Sequence, residues 1–188
     1  EPLLAPVDNT LQSPIKAKIS KTNWEERMKR FETKGEGDKT KVFQIGIHEV
    51  TRGEWAQVMD LPEPRQGELP MDRISWNDCQ AFLKKLNDKS GGQGLRFRLP
   101  TYAEWRVAAR GESQQEFQYG DDPAALGSYG WFIENSQRQL HKGGLLRESE
   151  SGLFDLHGNI AEWCEDEVVF GTEANAAKLP VKFRRVAG

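Results

Sequence analysis

The chain has 188 residues, 37% of them hydrophobic, with six Trp and nine Phe, enough for one substantial core anchored by large aromatics. A balance of 26 basic against 29 acidic residues gives a net charge of −3, which leaves no broad basic field and argues against nucleic acid as a partner. No apolar run is long enough to span a bilayer as a helix. The chain opens on Glu1 and not Met, a start that fits removal of an upstream segment by processing.

Residues 1–19 carry Pro2, Pro6 and Pro14 without sustained periodicity and read as an extended arm. Thr22 and Glu25 have the spacing of a capping box, and Trp24, Met28 and Phe31 then fall on one helical face. Residues 22–33 are therefore expected as a short amphipathic helix, stopped by Gly35 and Gly37. Residues 1–41 are set apart as an N-terminal arm with this helix, and residues 42–188 as the domain proper.

Over residues 42–50, Phe43, Ile45 and Ile47 alternate with Gln44, Gly46 and His48, the period of a half-buried strand. Thr51 with Glu54 then caps a helix carrying Trp55, Val58 and Met59 on its inner face. Three prolines mark residues 61–70 as loop. Ser75 with Asp78 opens a second helix, whose buried stripe is Trp76, Cys79, Phe82, Leu83 and Leu86, broken by Gly91, Gly92 and Gly94. Leu95 and Phe97 alternate with Arg96 and Arg98 as a short strand. Thr101 with Glu104 makes a further capping box, for a helix that buries Trp105, Ala108 and Ala109 and stops at Gly111.

From Tyr119 onward the chain is rich in Gly and Pro, with Asp121 and Asp122 in a solvated turn. Within this region Asn135 is suited to pin the loop by side-chain hydrogen bonds, or to lend an oxygen to a cation. Residues 181–186 read as a strand.

The stretch around which the rest is organised runs over residues 152–163. Asp155 and Glu162 bracket the pair Gly158-Asn159, residues that tolerate a left-handed backbone. Apolar residues fill the remaining positions, so the turn is expected to be buried. Two neighbouring carboxylates in a buried turn need a cation or suffer repulsion. Calcium takes about six to eight oxygens and accepts carboxylates and carbonyls together. The alternative is a plain Gly-Asn turn between two strands, with both acids hydrogen-bonded locally. Trp105 and Trp163 are expected as core anchors.

Cys79 and Cys164 lie in no C-x-x-C or other metal-ligand spacing. His48, His141 and His157 lack ligand spacing and read as structural, and neither a Ser/His/Asp constellation nor a phosphate-binding glycine loop is present.

Four blocks together resemble the formylglycine-generating enzyme, or sulfatase-modifying factor, family. They are Glu49-Val50-Thr51, Ser75-Trp76, the run from Arg98 to Gly111, and the run from Gly152 to Trp163, in the family's order. The resemblance implies an α+β, C-type-lectin-like fold of short helices, small mixed sheets and long loops. It implies one structural calcium held by the side chains of Asp155 and Glu162 and the carbonyls of Gly158 and Ile160. Asp155, where Asn would carry one negative charge less, is expected to strengthen that site.

In the family's enzymes a copper-holding cysteine pair oxidises a sulfatase cysteine to formylglycine, and it follows an "RGGS" strand that Arg184 to Gly188 resembles. Neither Cys79 nor Cys164 matches that pair. The reading is therefore a non-catalytic binding or regulatory protein with a protein partner, engaged through loops between Gly120 and Ser151 or through the N-terminal helix. An extracytoplasmic, periplasmic regulator of bacterial type VI secretion is its specific form, with the cytoplasm left open. The alternative is the copper-dependent oxidase, its cysteines lying beyond Gly188.

Overall fold

The computed structural model describes residues 22–24, 26–34, 40–90, 96–111, 122–170 and 181–188. The expected arm, the glycine stop after the second helix, Leu95 and Asp121 lie outside these residues.

Among the described residues, three α-helices, a short 3-10 helix (Pro123–Ser128), three two-stranded sheets and long connections make up the fold. Strands β1 (Met28–Lys34) and β2 (Thr40–Gly46) form an antiparallel hairpin in which Phe31 faces Phe43, their rings stacked at 5.7 Å. Helices α1 (Arg52–Met59), α2 (Trp76–Lys89) and α3 (Tyr102–Arg110) follow. Each begins with a reciprocal capping box, from Thr51/Glu54, Ser75/Asp78 and Thr101/Glu104 respectively, which satisfies two orphan amides per helix. The short strands β3 (Gly130–Trp131) and β4 (His157–Gly158) pair in parallel. Strands β5 (Glu162–Phe170) and β6 (Val181–Ala187) pair antiparallel, with a register shift between Trp163 and Glu167.

Two of the expectations need correction. A strand, not a helix, starts at Met28, and the Thr22 hydroxyl donates to Gln57 Oε1 at 3.1 Å; Glu25, its expected capping partner, lies outside the described residues. An isolated helix of this length is marginal, whereas the hairpin aligns seven residue pairs and sets Phe31 against Phe43. Trp24 still finds apolar partners, packing edge-on to Phe82 and Phe97 at 6.2 and 6.0 Å. The hairpin thus ties residues ahead of Val42 into the fold. The second correction concerns residues 96–98, which form no strand; Asn87 instead satisfies the backbone of Phe97 from both sides, accepting from its amide and donating to its carbonyl.

The core has two parts. Trp55, Val58, Phe82 and Leu86 join α1 to α2. Trp105, Ala108, Ala109, Leu153, Leu156, Cys164 and Ala187 join α3 to β5, β6 and the segment before β4, with Phe31, Phe43 and Ile45 packed against them. Ala108 and Cys164 are fully buried, and the small alanine lets α3 lie close to its neighbours. Trp105 is a core anchor as expected. Trp163 is only half-buried, its indole N–H donating to the Ile74 carbonyl at 3.1 Å. Among the described residues no helix is long and apolar enough to cross a membrane.

Candidate functional site

The segment from Leu153 to Glu162 threads the second core region and turns through three left-handed residues, Asp155 (φ 55°), Gly158 (φ 88°) and Asn159 (φ 55°). Gly158 is obligatory, because a Cβ there would collide with the Trp131 carbonyl that β3 presents to β4. Leu153 and Leu156 fix the turn by burial, at 1% and 5% exposure.

This geometry buries Asp155 at 5% exposure, and its Oδ2 accepts the Gly144 amide at 2.8 Å. Asp155 Oδ1 is buried and has no hydrogen-bond partner. Glu162 opens β5, and its Oε2 accepts the indole N–H of Trp105 at 2.5 Å. A third carboxylate, missed in the sequence, comes from 110 positions before Asn159: Glu49, 8% exposed, accepts Asn159 Nδ2 at 3.0 Å through Oε1, while its Oε2 is buried without a partner. The available signal was that Glu49 lies in one of the four blocks yet sits at the end of a strand, where an acid has no packing role.

The three carboxylates act on one another. Burial, reinforced by the negative Asp155 and Glu162, pushes the Glu49 carboxyl up to about 8. Burial also raises Asp155, opposed by the Gly144 amide, and raises Glu162, opposed by the Trp105 bond and reinforced by Asp155. Glu49 and Glu162 further line a cavity of about 730 Å³, which Asp155 does not reach. Among the described residues no three side chains of His, Cys, Asp or Glu close around an ion by themselves. A cation here would thus need carbonyl oxygens or water as well as carboxylates, which suits a hard ion of high coordination number. Two buried, unpartnered carboxylate oxygens beside a third acid fit such an ion.

Asn159 holds the turn to the preceding loop. Its Nδ2 also donates to the His141 carbonyl, its Oδ1 accepts the His141 amide, both at 3.0 Å, and its own amide donates to the Trp131 carbonyl at 2.9 Å. The His141 ring stacks on Trp131 at 3.7 Å. Asn135 pins its loop, accepting the Phe132 amide and donating to the Gly130 carbonyl.

On the opposite side, Arg27 forms a bidentate pair with Glu54 at 2.6 and 2.7 Å, donates to the Glu49 carbonyl and meets His48 Nδ1. The same nitrogen lies 3.1 Å from the Glu49 carbonyl, so whether it accepts from Arg27 or donates to Glu49 depends on the tautomer. Burial and Arg27 lower the His48 pKa. Cys79 and Cys164 are both buried free thiols, pushed up to about 11 mainly by burial. Neither is a thiolate at neutral pH.

The profile of the sulfatase-modifying factor enzyme 1-like domain matches residues 16–182. The chain belongs to that family. The match begins well ahead of β1, so the segment carrying Trp24 and Arg27 is part of the family's domain. The chain is similar to the chaperone protein LppX of Paenibacillus barcinonensis, 31% identical over 65% of this chain and 61% of that one. The formylglycine-generating enzyme of Thermomonospora curvata is 28% identical over 52% of this chain and 33% of its own length. The chain therefore spans less than two thirds of these relatives. Among solved structures, variable protein 1 of Treponema denticola superposes with a TM-score of 0.61 at 27% identity, over 73% of this chain and 71% of that one. The α+β fold expected from the four blocks is the fold observed.

Proposed function

We propose that this chain is a non-catalytic binding or regulatory domain that uses the formylglycine-generating enzyme scaffold to present a loop face to a protein partner. The carrying observation is the state of its two cysteines. The family's oxidation needs thiolates that ligate copper and receive the substrate sulfur, and both thiols here are buried and far from ionising. The loop face supports the binding half of the reading. Ile133 and Leu145 stand 62% and 60% exposed on loops held in place by Asn135, Asn159 and Asp155, the arrangement of a binding surface on a rigid frame. The similarity to a protein named a chaperone agrees with a protein ligand.

In this reading one calcium ion underlies the loop face. Asp155 and Glu162 provide side-chain oxygens, Gly158 and Ile160 provide carbonyls, and Glu49 offers its free Oε2. The ion supplies positive charge that holds three acids ionised in one buried place. The specific role implied by the resemblance is extracytoplasmic regulation of type VI secretion in the periplasm. A second reading, a copper-dependent oxidase completed by cysteines outside this sequence, is favoured by the 28% identity to formylglycine-generating enzymes.

One paired experiment separates the two. A cysteine-containing sulfatase-type peptide is incubated with the protein, Cu(I) and oxygen and followed by mass spectrometry, beside a pull-down from the envelope fraction of the source organism. The proposal expects no formylglycine and a protein partner whose capture survives Cys79→Ser with Cys164→Ser. Formylglycine formation, whether or not it survives in the double variant, overturns it in favour of the oxidase.

A further inference from the structure

The carboxylates divide their oxygens in a way that joins the cation site to the loop face. Asp155 gives Oδ2 to the Gly144 amide and keeps Oδ1 free; Glu49 gives Oε1 to Asn159 and keeps Oε2 free. Asn159 in turn grips both backbone groups of His141, whose ring lies on Trp131. The loop from Trp131 to Gly144 therefore hangs from the same acids that face the candidate ion. Together with residues 158–161 it walls a groove of about 510 Å³.

We propose that Asn159 is the positioning residue that couples cation occupancy to the order of the Trp131–Gly144 loop, and hence to the shape of that groove. The inference rests on the calcium reading above. An ion on the free oxygens fixes the Asp155 and Glu49 carboxylates in place, so that their other oxygens stay aimed at the Gly144 amide and at Asn159 Nδ2. The Gly144 and Asn159 bonds tighten together, and the loop is held from both ends. Without the ion, mutual repulsion among Glu49, Asp155 and Glu162 loosens the acceptors on which the loop depends. Because the coupling is reciprocal, any ligand that needs the ordered loop raises the cation affinity by the same factor.

Asn159→Gly is the informative variant. Glycine accepts φ 55° without strain and removes all three side-chain hydrogen bonds, the one to Glu49 Oε1 among them, while leaving every carboxylate in the chain. Hydrogen–deuterium exchange of the whole chain is read by mass spectrometry with and without calcium, alongside a calorimetric calcium titration. In the unaltered protein calcium should slow exchange over residues 131–144 by on the order of tenfold or more. In Asn159→Gly calcium should still bind, and the slowing in that loop should be largely lost. Asn159→Asp keeps the acceptor for the His141 amide but turns its second oxygen on the Glu49 carboxylate and the His141 carbonyl; it should lose the slowing as well, and serves if the glycine variant does not fold.

Calcium binding that leaves the loop unchanged in the unaltered protein overturns the coupling alone. Equal protection in both variants overturns the role of Asn159. No calcium binding at all overturns the cation reading and this inference together.

Discussion

The indole N–H of Trp105 donates to Glu162 Oε2 across 57 residues of chain, so a core tryptophan of α3 also fixes an acid of the candidate cation site. Packing and site geometry are carried here by one side chain. Trp105→Ala should cost about 3–5 kcal/mol of stability. Trp105→Phe should restore most of that loss while leaving the Glu162 oxygen unpartnered, so stability and calcium affinity should separate. Trp163→Ala should cost less than Trp105→Ala, because Trp163 is half-buried. Denaturant unfolding orders the three; a larger loss at Trp163 would contradict the packing described.

Without metal, stability should fall as pH rises from about 7 to 8.5. The Glu49 carboxyl, near 8 in the fold against an ordinary 4.5, holds a proton in this window that the unfolded chain has already lost. The native state therefore binds more protons, and stability drops as pH climbs through the folded value. Asp155 and Glu162 are also raised, and wherever they titrate above their ordinary values they act in the same sense. His48 and His157 are lowered from 6.5 and so act below this window, and the two thiols, raised from 9.0, act above it. Calcium takes the place of the proton, so excess calcium should flatten the profile. Melting temperatures in chelator and in calcium across this range test it; a chelated profile that is flat or rising contradicts it.

Gly130 and Gly158 interlock where β3 meets β4, each with space only for hydrogen against the other's strand. Gly158→Ala must place a side chain at φ 88° and against the Trp131 carbonyl, and should cost more than about 2 kcal/mol. The same change at Gly67, where a Cβ would meet only ordinary van der Waals contacts at 3.6–3.8 Å, should be nearly neutral. Thermal unfolding of the two variants compares them directly.

The Arg27–Glu54 pair is largely shielded, at 14% and 12% side-chain exposure. Arg27→Ala strands Glu54 and should destabilise by about 3 kcal/mol or more. The double variant Arg27→Ala/Glu54→Ala should cost less than the sum of the two single changes. Additive losses in denaturant unfolding would show that the pair does not act as a unit.

Local chemistry made part of this fold legible. Of the four capping boxes expected, those opening α1, α2 and α3 stand as their spacing predicts, because a cap needs only four neighbouring residues to be satisfied. The left-handed turn at Gly158-Asn159 follows from residue type in the same way. Trp24, Met28 and Phe31 misled, since helical spacing over so few residues is also met by a turn leading into a strand, and the strand's partner, Phe43, lies 12 positions beyond Phe31. Glu49 was invisible as a site residue for a related reason. Its meaning comes from Asn159, 110 positions away, and no local pattern reports that distance.

The most direct test of the account is a calorimetric titration of calcium into chelator-treated protein at neutral pH, with the melting temperature followed at each ratio. One saturable site should appear, with proton release on binding and a melting temperature that rises with free calcium. Glu49→Gln should weaken the affinity at least several-fold while the protein stays folded, since Gln keeps the acceptor for Asn159 and loses the charge. Absence of binding heat together with an unchanged melting temperature would contradict the central claim and leave residues 152–163 a buried turn with no ion.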